Sequence, residues 1–150
     1  MKNLIQRDGY LKWLGEHREK NLIKVLTGMR RTGKSTILKL FADSLRSEGV
    51  EDKCIVFLNF EEMENEFLLN PKELYSFLKN RLIKGRTVYF FLDEIQNVEG
   101  FERVLDSLYV KEGVDIYITG SSANLFSSEI ATLLTGRYVE INVMPFSFME

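Results

Sequence analysis

The stretch GMRRTGKST, Gly28 to Thr36, sets two glycines five positions apart, then a lysine and two hydroxyl residues. It fits the pattern G-x-x-x-x-G-K-[S/T], whose chemistry is the cradling of phosphate. Glycines let the backbone curl until successive N–H groups point inward, and a helix that begins at the same place adds its N-terminal partial positive charge. The expected binding set is Gly28, Met29, Arg30, Arg31, Thr32, Gly33, Lys34, Ser35 and Thr36. Within it Lys34 reaches the β- and γ-phosphates as a point charge, Ser35 offers its hydroxyl to Mg²⁺, and Thr36 is the bystander. By average residue usage the four fixed positions recur by chance in roughly one sequence of this length in two hundred. Here they also fall between a strand pattern and a helix pattern, as the chemistry requires.

A second constellation is VYFFLDEIQ. Four apolar residues, Tyr89 to Leu92, run into the adjacent carboxylates Asp93 and Glu94. Two acids ending a buried strand are costly without partners. A metal ion on Asp93, bound directly or through water, and an attacking water polarised by Glu94 supply them. The bland alternative is a pair that opens a solvated loop. Next comes ITGSS, where a hydroxyl at a strand end would sense the γ-phosphate or hold the water. Ser121 is the first choice, with Ser122 and Thr119 behind it, and a helix N-cap is the competing role for Ser121. In TGRYVEI, Arg137 is either a phosphate-sensing guanidinium, in its own site or a neighbour's, or an ordinary surface ion pair. Arg30 and Arg31 have phosphate, a neighbouring subunit, Glu61 and Glu62, or solvent as candidate partners. Arg7 and Tyr10 are placed to flank an adenine, or else belong to an amphipathic helix.

Alternating elements position these residues. The spacing predicts an amphipathic helix over 2–16, strands over 22–28, 54–60, 87–95, 115–120 and 138–144, and helices over 34–46, 101–109 and 123–134. Asn70-Pro71-Lys72-Glu73 starts a further helix, with Asn as cap, Pro at the first position and Glu closing a capping box. That helix is expected to run to about Ile83 and stop at Gly85. The strand over 87–95 is apolar on both faces, as a central parallel strand is. Strands and helices alternating with short connections define an α/β domain with a mainly parallel sheet. Ligands then bind at the carboxyl ends of the strands, where Gly28, Asp93 and Ser121 all fall.

The 150 residues suit one domain, 45% hydrophobic and 28% charged, and the formal charge of −2 offers no generic attraction to nucleic acid. Cys54, the single cysteine, excludes an internal disulfide and reads as a buried thiol. His17, the single histidine, argues against a histidine-rich metal site and a Ser-His-Asp triad. No apolar run approaches ~18 residues. A cytoplasmic protein with no membrane partner is expected.

GMRRTGKST, FLDEIQ, ITGSSANL, LLTGRYVEI and MPFSFME together resemble a bacterial and archaeal family of AAA+-like ATPases, P-loop proteins of the additional-strand, catalytic-glutamate group. The resemblance spans nearly the whole chain. The double arginine in the loop and the GRY…PFSF ending are its more specific parts. It implies a three-layer αβα P-loop NTPase fold with strand order 5-1-4-3-2, and ATP with Mg²⁺ as ligands. It also implies Lys34 and Ser35 on phosphate and metal, Asp93 on the metal, and Glu94 as catalytic base. Such proteins usually continue into a helical lid and a C-terminal domain, so residues 1–150 are expected to be the N-terminal P-loop ATPase domain. Protein partners or self-association are then expected through the segment beyond it.

Mg-dependent ATP hydrolysis is the leading expectation. The alternative is a nucleotide-controlled interaction switch with negligible turnover, DNA-associated in the longer protein. No helix carries a run of basic residues, so DNA gains no support here. A small-molecule kinase would need an acceptor pocket, and the acid pair fits water attack better. The absence of an N-K-x-D segment favours ATP over GTP.

Overall fold

The computed structural model describes residues 2–29, 32–121, 125 and 134–145. Its elements are α1 (Lys2–His17), β1 (Ile23–Thr27), α2 (Lys34–Ser47), β2 (Ile55–Asn59), α3 (Pro71–Lys79), β3 (Val88–Asp93), α4 (Phe101–Tyr109), β4 (Val114–Gly120) and β5 (Tyr138–Asn142). Short 3₁₀ turns at Asp52–Cys54, Met63–Leu69 and Ile95–Asn97 were not foreseen from the pattern. The strands form one sheet in the order β2-β3-β4-β1-β5, and every pair is parallel. Read from the other edge this is the expected 5-1-4-3-2.

Side-chain alternation along β3 builds both faces of the core. Val88, Phe90 and Leu92 pack with Leu74 and Leu78 of α3 and with Val104, Leu105 and Leu108 of α4. Tyr89 and Phe91 point the other way, onto Leu14 of α1 and Ile37, Leu38, Phe41 and Leu45 of α2. All six residues of β3 are buried, which is why the strand reads as a continuous apolar run. The result is helices, sheet, helices: the three-layer αβα arrangement of P-loop NTPases.

The helix opened by Asn70 has the expected N-cap and Pro71 at its first position, the Asn70 side chain accepting the N–H groups of Lys72 and Glu73. It ends at Lys79, well before Ile83. Leu82 and Ile83 still pack against the core, but from the turn that follows. Their apolarity therefore continued the helical pattern past the helix. β3 stops at Asp93 because Glu94 adopts left-handed backbone angles (φ 58°, ψ 50°), which no strand continues. The helix expected over 123–134 lies mostly outside the described residues.

At the amino ends of the strands a buried polar cluster ties α1 to the sheet. Lys24 and Asp115, both almost fully buried, form an ion pair. Asp115 also accepts the Tyr117 hydroxyl at 2.7 Å and the Glu19 N–H at 2.9 Å. Arg18 donates to the Tyr89 hydroxyl, which in turn donates to Glu19. Burial lowers the pKa of Lys24 against the pull of Asp115. Burial, reinforced by the Asp115 charge, raises that of Tyr117 far above the ordinary phenol range.

Candidate functional site

Register brings the acid pair to the P-loop. Thr27 of β1 lies beside Gly120 of β4, Ile118 beside Leu92, and Asn59 of β2 beside Asp93. The carboxyl ends of four strands thus meet on one rim. After β1 the chain turns through Gly28 (φ 153°) and Gly33 (φ 94°) into α2. At Gly28 the constraint is space as well as angle: a Cβ there would lie 2.6 Å from the Val143 carbonyl and 3.0 Å from Thr32 Oγ1. No side chain caps the start of α2, so its first N–H groups remain available for an anion.

Lys34 is 4% exposed. Its Nζ donates to the Gly28 carbonyl at 2.7 Å and lies 3.6 Å from Glu94 Oε1. Asp93, also buried, accepts the Thr119 hydroxyl on Oδ1 at 2.5 Å, while its Oδ2 is buried with no hydrogen-bond partner among the described residues. The Glu94 N–H donates to the same Thr119 oxygen at 2.9 Å, and Glu94 Oε2 accepts from Gln96 Nε2 at 2.6 Å. A cleft of about 300 Å³ is lined by Gly33, Lys34, Ser35, Thr36, Asn59, Glu61, Asp93 and Glu94. Two larger concavities, of about 510 and 590 Å³, lie at the amino end around Thr87, Glu112 and Gly113. They contain no comparable convergence of acid, base and N–H donors. The smaller cleft is the candidate site, since the strand carboxyl ends and a helix N-terminus converge there.

The structure therefore gathers Gly33, Lys34, Ser35, Thr36, Asp93 and Glu94 around one cavity. Met29 turns its side chain outward, 67% exposed, which leaves only its backbone to the loop. Thr32 is buried, its hydroxyl without a hydrogen-bond partner among the described residues. Arg30, Arg31 and Ser122 lie outside the described residues. The Ser121 carbonyl accepts the Leu125 N–H at 2.9 Å, as a residue opening a helical turn does. Among the described contacts, the hydroxyl that touches both acids is that of Thr119, which the sequence reading placed behind Ser121. Tyr10 is buried against α2, and its hydroxyl accepts the Met144 N–H at 3.0 Å. That is the packing expected of an amphipathic helix. Cys54 is a buried free thiol, and His17 Nδ1 bonds the Trp13 carbonyl at 2.8 Å.

Arg137 requires a correction. Its carbonyl accepts the Ile23 N–H at 2.8 Å, so it sits at the amino end of β1. Roughly 16 Å of strand, at about 3.3 Å per residue, separates it from the P-loop. Its guanidinium is ion-paired to Asp106 and lies over the Tyr109 ring. It cannot sense a phosphate in its own site, because a parallel β5 starts on the far rim. Within the chain, its described contacts are those of a surface ion pair. Asn59, Glu61 and Gln96 were missed as site residues. Asn59 ends a strand as Asp93 does, and that position was the available signal.

A parallel sheet ordered 5-1-4-3-2, with a glycine-rich loop entering a helix beside an acid-tipped strand, defines a P-loop nucleotide-binding domain. The chain belongs to the AAA domain family, whose model matches residues 20–150. It is 41% identical over 150 residues to an uncharacterised protein of Haemophilus influenzae, covering 99% of this chain and 38% of that one. It is 38% identical over 132 residues to an uncharacterised protein of Methanocaldococcus jannaschii, covering 87% and 28%. The chain thus spans well under half the length of these relatives. Among solved structures, a DNA polymerase III gamma subunit-related protein of Thermotoga maritima superposes with a TM-score of 0.62 at 10% identity, covering 95% of this chain and 47% of that one. The Drosophila ORC bound to DNA gives 0.61 at 11% identity, with 97% and 95% covered. AMPPCP-bound DnaA of Aquifex aeolicus gives 0.52 at 15% identity, with 89% and 43% covered. At these identities the likeness shows the fold. No described helix is long and apolar enough to cross a membrane.

Proposed function

We propose that this domain binds ATP with Mg²⁺ and hydrolyses it by water attack on the γ-phosphate. The observation that carries the reading is the convergence of Lys34, Ser35, Asp93 and Glu94 on one cleft at the N-terminus of α2. The loop N–H groups would hold the phosphates. Lys34 would exchange the Gly28 carbonyl for a phosphate oxygen. Ser35 and Asp93 suit Mg²⁺, because the buried Asp93 Oδ2 has no hydrogen-bond partner among the described residues and a hard cation takes oxygen ligands. When bound, the ion would neutralise charge on the phosphates. Glu94, the acid nearer to Lys34 among the contacts described, is the base that would take the proton of the attacking water.

The test is phosphate release with Mg·ATP. Glu94→Gln should lower it by ~10²-fold or more, since general-base assistance is worth about that much. Equal rates in the two proteins would remove Glu94 from the mechanism.

One observation favours a second reading, a nucleotide-controlled switch. The contacts of Lys34 with Gly28 and Glu94 must be exchanged when phosphate enters, which couples the loop to the acid strand. Tight ATP binding without phosphate release, with partner binding that depends on the nucleotide, is its signature. A DNA-associated role for the longer protein rests only on likeness in fold.

A further inference from the structure

We infer that Gln96 is the positioning residue of the Glu94 carboxylate, its amide packed over the bare backbone of Gly120. The inference rests on the hydrolytic reading above for its kinetic consequence, but the contact itself stands on geometry. The left-handed turn at Glu94 and the 3₁₀ turn at Ile95–Asn97 fold the chain back, so that Gln96 Nε2 meets Glu94 Oε2 at 2.6 Å. A carboxylate only accepts hydrogen bonds, so the amide nitrogen must face it and the amide oxygen must point away. That oxygen is buried against Gly120 at the end of β4 and has no hydrogen-bond partner among the described residues.

Gly120 has no positive φ, so its backbone does not call for glycine. Space does. A Cβ there would run into Gln96 Oε1 and lie 2.7 Å from Leu125 Cγ. The end of β4 therefore holds both acids by different means. Thr119 takes Asp93 Oδ1 and the Glu94 N–H, while Gly120 admits the side chain that holds the Glu94 carboxylate. With Oε2 held by Gln96, Oε1 is left turned toward Lys34 and the cleft. A base fixed in this way spends less of its time in unproductive rotamers, and this should appear in kcat rather than in nucleotide affinity.

The experiment pairs kinetics with a probe that needs no turnover. Gln96→Met keeps length and fills the space over Gly120 but cannot donate. It should lower kcat for Mg·ATP by about tenfold with KM unchanged, at a temperature where both proteins are fully folded. In a Glu94→Gln background the same substitution should cost nothing further, because Gln96 acts only through Glu94. A kcat within twofold of wild type, or an equal loss in both backgrounds, overturns the inference. The ¹⁵N side-chain amide resonance of Gln96 reads the contact directly and should shift in Glu94→Ala. An unmoved resonance overturns the inference whatever the rates show. A wild-type protein that releases no phosphate overturns the hydrolytic reading instead, and the amide resonance then decides this one.

Discussion

Replacing Thr119 by Val removes one oxygen and leaves the shape nearly intact, so its effect isolates the hydroxyl. Thr119 is fully buried, donates to Asp93 Oδ1 at 2.5 Å and accepts the Glu94 N–H at 2.9 Å. A hydrogen bond to a charged group is worth about 1.5–3 kcal/mol, and a buried donor left without a partner costs about 1–3 kcal/mol. The Glu94 end lies beside the open cleft, where water can partly replace the lost acceptor. The burial of one more methyl group returns about 0.8 kcal/mol. The expected net loss is therefore about 2–4 kcal/mol, with no cavity contribution. Urea unfolding measures it as a lower midpoint at unchanged m-value. Thr119→Ser keeps the hydroxyl and should lose only about 1 kcal/mol, for the missing methyl. If Thr119→Val unfolds within ~0.5 kcal/mol of wild type, the hydroxyl does not bridge the two acids and the site has been assembled wrongly.

Two further predictions concern the amino rim. Asp115→Ala leaves Lys24 buried without its carboxylate and should destabilise by about 3–5 kcal/mol in the same urea assay, whereas a loss under ~1 kcal/mol would mean the pair is not buried as described. Tyr117 keeps its proton in the fold to a higher pH than in the unfolded chain. Its stabilising contribution is therefore complete below pH ~10 and is lost as pH rises above that, at up to about 1.4 kcal/mol per pH unit. Lys24, with its lowered pKa, acts in the opposite sense, so the informative comparison is Tyr117→Phe with wild type. The alkaline limb of unfolding should be shallower in the variant, and identical limbs would refute the buried phenol.

How much was legible in the sequence follows from which forces are local. The turn through Gly28 and Gly33 into α2, the buried apolar run of β3 and the Asn70 cap are written in neighbouring residues, and the structure has each of them. The bridge from Thr119 to both acids depends on the register that sets Leu92 beside Ile118, and so Asp93 beside Thr119, which no local pattern encodes. The Lys24–Asp115 pair joins residues 91 positions apart and was invisible for the same reason. Arg137 was misplaced through an incomplete use of what was available. A strand parallel to β1 must begin on the rim away from the P-loop, so strand direction alone excluded a phosphate contact within the chain. Leu82 and Ile83 misled because burial was taken for helix, though a turn buries apolar residues equally well.

The most direct test of the central claim is an equilibrium titration of the protein with a non-hydrolysable ATP analogue, with Mg²⁺ present or chelated. Lys34→Ala should weaken binding by at least about tenfold, the worth of a charged hydrogen bond, and chelation should weaken wild type but have little further effect on Asp93→Asn. Equal affinities for wild type and Lys34→Ala, together with indifference to Mg²⁺, would contradict the account.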